Sequence, residues 1–321
     1  MAELLIDGGP QAIPMAHNTI KQEIEVGRRF SPVVAVPTLL LLAGVYLGLG
    51  LSTWLGLEDY IPLWLAGLAN GIILYATYTV VHEGVHDNIV SRKSSFRWFN
   101  MTAAFLAALP LWLLIYPHRS SHIVHHRKCN SEADPDIYAR GSFGVVALWR
   151  IPLAILGQFN PFEQYRLCAE HGLSPWQRYF SYASFALFVA IVISICALGY
   201  AYELLVLWLI PFFIGYGVML VLFTWVPHHP HSILGRYHDT RCSLWPGGNL
   251  LTQGQNYHLI HHMMPWVPWY RYERVFEEIR PLLEQQRAII DGFWPRPARE
   301  SIEYTSHLPA GQDDNKAASG A

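Results

Sequence analysis

Charge is scarce in this chain. Only 14% of its 321 residues are Asp, Glu, Lys or Arg, against about 25% in an ordinary soluble domain. Hydrophobic residues reach 52%. The deficit therefore excludes a disordered, solvated chain and argues against a soluble globule. Cysteine is scarce as well. Cys129, Cys168, Cys196 and Cys242 stand far apart with no CxxC pair, which argues against a disulfide scaffold and a cysteine-ligated zinc or iron–sulfur site. Net charge is −2, so nothing points to nucleic acid. The chain has no CxxCH for haem, no GxGxxG and no internal repeat. No secretory signal is evident, because the first apolar run begins late and no small-residue cleavage site follows it.

What is present is long apolar runs. Pro32–Ser52, Ile61–Val81, Tyr179–Gly199 and Leu204–Val226 each hold about 20 residues, the length that spans a hydrocarbon core. Unpaired backbone groups in lipid cost several kcal/mol each, so these runs are expected to be helices, the fourth kinked at Pro211. The expected fold is all-α, an integral membrane protein of four transmembrane helices with a helical, histidine-rich cap. Lys and Arg orient it. The loops Thr53–Tyr60 and Tyr200–Glu203 carry neither, whereas His82–Arg178 carries Arg92, Lys93, Arg97, Arg119, Arg127, Lys128, Arg140, Arg150, Arg166 and Arg178. Cytoplasmic loops hold the positive excess, so both termini and the long central loop are expected in the cytoplasm. Residues 1–31 form a cytoplasmic N-terminal segment, 32–304 the membrane domain, and 305–321 a disordered tail. Residues 271–290 have an amphipathic helical pattern and are expected to lie along the cytoplasmic surface.

Histidine is the abundant polar residue. Thirteen of 16 fall in His82–His126 or His228–His262. They form His82-x-x-x-His86, His122-x-x-His125-His126 (preceded by His118) and His258-x-x-His261-His262, with a patch of His228, His229, His231 and His238. On a helix, positions four apart share a face, so His82 and His86 can reach one ion. In HxxHH the first two histidines are expected to share a face, with the last about 100° round. Such a helix offers two imidazoles to one metal and one to a second. Imidazole suits Fe, Zn, Cu and Ni. One ion takes four to six ligands, so eight or nine imidazoles imply two ions. Without metal, so many buried ring nitrogens would be hard to satisfy. The isolated His17, His171 and His307 are ordinary polar residues on this view. Glu83 could bridge ions but points off the His82/His86 face. For all boxes to meet on one side, Phe99–Tyr116, with Pro110 in its body, must not cross the bilayer. It is expected to be a re-entrant or interfacial element.

The three boxes, interleaved with four spans in this order, resemble the membrane di-iron fatty acid desaturase/hydroxylase superfamily. The likeness covers about Ile61 to Glu273. Val226-Pro-His-His-Pro-His231, Tyr237-His-Asp239 with Arg241, Asn256-Tyr-His-Leu-Ile-His-His262, Pro265, Val267-Pro-Trp-Tyr270 and Asp134-Pro-Asp136 are similar to the carotenoid ring hydroxylase and ketolase (beta-carotene hydroxylase-like) branch. The resemblance implies two iron ions held by His82, His86, His122, His125, His126, His258, His261, His262 and one further ligand. His228 matches that position best, with His229 or His231 in reserve. His118 is a candidate substitute or supporting ligand. Asp134, Asp136 and Asp239 are candidates to orient imidazoles through their second nitrogen, or simply turn residues. It also implies O2 as co-substrate and oxidation of an unactivated C–H bond in an apolar lipid, by hydroxylation or desaturation. Electrons would come from a separate ferredoxin-like or cytochrome donor, since the chain carries no redox cofactor motif. The basic loops could steer such a donor. Trp225, Trp245, Trp266, Trp269 and Tyr270 are either the lining of a substrate entrance or an interfacial belt. The alternative is a fatty acyl desaturase or hydroxylase with the same site. A metal transporter is a distant one, because its ionisable residues would sit inside the spans.

Overall fold

In the computed structural model, residues 17–170 and 172–295 are described. Within them the regular structure is mostly helical, with a two-residue parallel ladder pairing Cys242 with Ile290 and Ser243 with Asp291 and an isolated antiparallel bridge between Val34 and Val90. The helices are α1 (His17–Phe30), α2 (Val36–Leu57), α3 (Leu63–Val85), α4 (Phe99–Ala108) and α5 (Ile115–Lys128). Next come α6 (Phe143–Gln158), α7 (Pro161–Glu170), α8 (Pro175–Ala197) and α9 (Ala201–His228). After them follow α10 (His258–Met263) and α11 (Tyr272–Gln285).

Four of these, α2, α3, α8 and α9, are long and apolar enough to cross a membrane. Leu40, Leu47 and Leu51 on α2 and Ile191 and Ile193 on α8 stay exposed, with no protein covering them. An uncovered apolar helix face is what lipid, not water, would solvate. The interior face is built from small residues. A side chain at Gly67 would collide with the Val206 carbonyl, and one at Gly215 with that of Gly71. Glycine therefore lets α3 and α9 pack backbone against backbone.

Pro211 does not break α9. It follows a π-helical turn, Leu205–Leu209, and the helix continues to His228. In α-helical register the amide of residue 211 would serve the Leu207 carbonyl, and proline has none. Asn70 on α3 donates its Nδ2 to that carbonyl instead, at 2.8 Å. Its Oδ1 accepts from Ser52 on α2, so one buried amide ties three spans.

The helix carrying the first box runs further than the apolar run. Hydropathy places its end at Val81, but α3 continues to Val85, with His86 capping it. Histidine and glutamate tolerate a helix, and Gly84 lies against Ala104 of α4, where a Cβ would clash. The chain leaves α3 only at Asp87, in left-handed conformation (φ 60°).

The segment 99–116 is split. α4 ends in a 3-10 turn with Pro110, Trp112 takes φ 50°, and α5 departs at 104° to α4. Trp112 packs against Phe159, Phe188 and Trp208, and the Trp208 indole donates to the Pro110 carbonyl at 2.8 Å. The bend thus satisfies a carbonyl that the broken helix leaves open. A second bent pair, α6 and α7 at 85°, is not foreshadowed by the hydropathy pattern. Arg150 interrupts the apolar run there, yet that side chain turns back to the Tyr138 and Arg140 carbonyls.

α11 carries the amphipathic pattern of residues 271–290. Its apolar stripe, Tyr272, Val275, Phe276, Ile279 and Leu283, is buried in one cluster with Val26 of α1 and Met263 of α10. It covers protein, so its pattern does not require a membrane surface. The proposed tail, 305–321, lies outside the described residues.

Asn70→Leu keeps the volume but leaves the Leu207 carbonyl without this donor, a loss of about 1–3 kcal/mol. The expected outcome is a lower thermal unfolding midpoint in detergent. An unchanged midpoint would contradict the role given to this amide.

Candidate metal centre

Four helices deliver the histidines. The end of α3 supplies His82 and His86, α5 supplies His122, His125 and His126, the last residue of α9 is His228, and α10 supplies His258, His261 and His262. Their rings meet in two adjoining groups. The first holds His82, His86, His122, His126 and His261, and the second His125, Cys129, His228 and His262. Within each, donor atoms lie within 4.8 Å of one another. His258 borders the second, its Nε2 3.0 Å from that of His228. The His126 and His262 rings stack at 4.2 Å and join the two groups.

The pairing within a box differs from expectation. His122 and His126 share one group and His125 faces the other; likewise His258 and His262 lie together while His261 crosses over. At about 100° per residue, i+4 lies 40° from i and i+3 lies 60° away on the opposite side. The closer pair therefore shares one group, and the middle histidine reaches the other.

The nitrogens facing inward are bare. His125 donates Nδ1–H to Asp134 at 2.8 Å, and His258 donates Nδ1–H to the Gln255 carbonyl oxygen at 2.7 Å. His261 Nδ1 meets the Tyr272 hydroxyl at 3.0 Å. With the proton on Nδ1, each Nε2 presents a lone pair. Nε2 atoms nevertheless face each other at 2.8 Å (His86–His122), 2.9 Å (His126–His261) and 3.2 Å (His122–His126). Lone pairs at such separations repel unless a proton or a cation lies among them. With a metal–nitrogen bond of about 2.1 Å, ligands at right angles sit about 3.0 Å apart, so the spacing fits a shared ion. The donor set is imidazole-rich and neutral, suited to a first-row metal.

Burial, reinforced by the neighbouring rings, holds His86, His126, His258, His261 and His262 well below the ordinary histidine value. They are neutral at pH 7 and free to ligate. His125 goes the other way. Burial opposes its charge, but Asp136, Asp134 and Asp239 outweigh it and raise its pKa. Burial alone would raise Asp134; the His125 bond and charge and two backbone amides bring it below the usual value. Asp134 also accepts from the Asp136 and Asn130 amides at 2.9 and 2.7 Å, so this carboxylate is both turn residue and imidazole anchor. Asp136 Oδ2 lies 3.6 Å from His125 Nδ1.

Other candidates lie outside both groups. Asp239 holds Asn130 and Cys129 through its backbone carbonyl, and burial pushes its carboxyl up to about 7. His118 contacts the Tyr78 hydroxyl at 3.3 Å and stacks on His122. His229 leans on Trp225. His231 is buried 5.8 Å from the His228 ring with both ring nitrogens unpartnered by protein. Geometry thus favours His228 among the three. Glu83 also stays outside, accepting the Trp269 amide at 3.2 Å. Trp225 is fully buried, packed on Phe143 and Trp294. That is core packing, neither entrance nor belt. His171 and His307 lie outside the described residues, as does the side chain of His17.

Cys129 is the residue sequence reasoning missed. Its Sγ is 3.3 Å from His228 Nδ1. The signal was its position, four residues after His125 and so on the same helix face.

The family model for fatty acid desaturase matches residues 58–294. This chain belongs to the fatty acid desaturase family. The match takes in α3 with the first box and ends beyond α11. This desaturase-family protein is also similar to two curated relatives from Paracoccus. A beta-carotene ketolase of strain N81106 / MBIC 01143 is 24% identical over 242 residues, covering 69% of this chain and 86% of that protein. A beta-carotene ketolase of strain PC1 is 25% identical over 206 residues, covering 61% and 72%.

His125→Ala and His261→Ala each remove a ligand from a different group. Both variants should purify with less bound metal per chain by elemental analysis while keeping their helical circular dichroism. Full metal retention would contradict the grouping. Acidification provides a second check. The lowered histidines stay neutral in the folded, metal-free protein, whereas unfolded they take up protons below about pH 6.5. The unfolded state then binds more protons, so stability is lost as pH falls. His125 and the raised carboxyl of Asp239 have the opposite sign, but the lowered rings outnumber them. The chelator-treated protein should therefore melt at a lower temperature at pH 5.5 than at pH 7.5.

Proposed function

We propose that this protein is a membrane oxygenase that uses O2 and external electrons to oxidise C–H bonds of an apolar lipid, with a carotenoid ring as substrate. The observation that carries the reading is the pair of buried imidazole groups whose bare Nε2 atoms converge at the ends of α3 and α9. The ketolase relatives favour a carotenoid over an acyl chain, as do the residues flanking the second and third boxes. When bound, two iron ions supply the O2-dependent oxidising power for an unactivated C–H bond.

The chain's own residues do the rest. The first ion falls to His82, His86, His122, His126 and His261. The second falls to His125, His228, His258 and His262. Asp134, Gln255 and Tyr272 hold the Nδ1 side of three of these rings, which fixes where each lone pair points. Neutral ligands leave the positive charge of the ions uncompensated. Burial of the rings keeps water from competing with an apolar substrate held beside them. Substrate position then decides which carbon is attacked. The Lys and Arg distribution puts both termini and the site on the cytoplasmic side, with α4 and α5 as a re-entrant element. The membrane is crossed four times.

The test is expression in cells that accumulate beta-carotene, with extraction of pigments and lipids. Oxygenated ring products and about two iron ions per chain are expected. Altered acyl unsaturation with carotenoids untouched would instead make the protein an acyl-chain desaturase or hydroxylase. A reporter fused after residue 140 should remain inside the cell; one found outside contradicts the topology.

A further inference from the structure

A cavity of about 790 Å³ opens beside the first histidine group, and His86 and His126 form part of its wall. Four arginines line it: Arg92, Arg97, Arg119 and Arg127. The one carboxylate in the lining is Asp87. It takes both terminal nitrogens of Arg119, at 2.9 and 3.1 Å, and Arg92 Nε at 3.3 Å. Four guanidinium groups thus face one carboxylate, an excess of three positive charges. Arg97 and Arg127 are exposed and pair with no carboxylate among the described residues. Elsewhere on the surface Arg166 is matched by Glu163 and Glu170, and Arg280 by Glu284. Positive charge in excess of carboxylate thus lines an opening whose wall includes candidate metal ligands.

We propose that this arginine-rimmed cavity is the docking site of the electron donor, a small acidic one-electron carrier protein that sets its carboxylates against Arg97 and Arg127. The proposal rests on the oxygenase reading above. That reaction balances as C–H plus O2, two electrons and two protons giving C–OH plus water, so a one-electron carrier must dock twice per turnover. The chain has no redox motif of its own, and an uncharged hydrocarbon substrate has no anion to offer four arginines. An acidic carrier does, and complementary charge speeds its approach and orients it. Docked there, it faces the edges of His86 and His126, the part of the first group that borders the cavity. Asp87 has a positioning role: by engaging Arg119 and Arg92 it leaves Arg97 and Arg127 as the free charges of the rim.

The test uses the full-length, iron-loaded protein in nanodiscs of neutral phosphatidylcholine, with a plant-type ferredoxin as the probe. Binding is measured by calorimetry at low and at moderate salt. The wild type should bind ferredoxin, and more weakly as salt rises. The Arg97→Glu/Arg127→Glu double variant should lose at least ten-fold in affinity and most of the salt dependence. Arg97→Gln/Arg127→Gln should fall between. Iron content and the thermal midpoint should match the wild type in both, and Arg280→Glu should bind ferredoxin as the wild type does. Absence of salt-dependent ferredoxin binding to the wild type overturns the proposal. So does a double variant that binds ferredoxin unchanged but loses affinity for anionic phosphatidylglycerol vesicles, which would make the cavity a headgroup site. Loss of beta-carotene binding with ferredoxin binding intact would make it a substrate route and overturn the proposal equally. A wild type that carries no iron fails the oxygenase reading instead, so the two failures are told apart.

Discussion

Everything in this fold answers one electrostatic demand: neutral imidazole lone pairs from four helices are aimed at each other across about 3 Å. Left alone they repel, and burial denies them water. The arrangement is stable only with a positive charge among them or with rings held in place from behind. The structure provides the second of these. Asp134, Gln255 and Tyr272 each take an outer ring nitrogen, and the Cys129 thiol sits against His228. The inner face is therefore preorganised for cations before any arrive.

The spans serve that demand. α3 and α9 approach closely because glycine lines their contact, and both end in ligands. Asn70 repairs the hydrogen-bonding gap that Pro211 opens, so α9 reaches the site unbroken despite a proline in its body. α4 and α5 turn back at Trp112, and this sharp bend brings the second box to the ends of α3 and α9.

Much of this was legible in the sequence because it rests on local periodicity. Long apolar runs announced four helices, and box spacing announced histidines gathered into groups that could hold metal. What was hidden depended on contacts between distant segments. Asp-Pro-Asp reads as a turn, and only the fold shows Asp134 reaching back to His125. A lone cysteine carries no motif, yet the turn of α5 puts Cys129 beside a histidine 99 residues away. The placing of i+4 partners in one group turned on a 20° difference in helical phase, which the spacing contains but the rule that i+3 and i+4 share a face overlooks. α6 and α7 escaped notice because Arg150 breaks a hydropathy pattern even when its charge is folded back onto carbonyls. The stripe on α11 was visible, but a stripe does not say whether lipid or protein will cover it.

The clasp formed by the two ends of the described chain has a consequence for when the cluster can take shape. α1 is fastened to the stretch before the third box through Glu23, which receives Arg236 at 2.6 Å and the Tyr237 hydroxyl, and α11 lends Tyr272 to His261. The third box is thus bracketed by the first and last helices of the described residues. Its rings are held only once segments 213 residues apart in sequence have met, so the inward geometry of the cluster belongs to the finished fold and to no single helix.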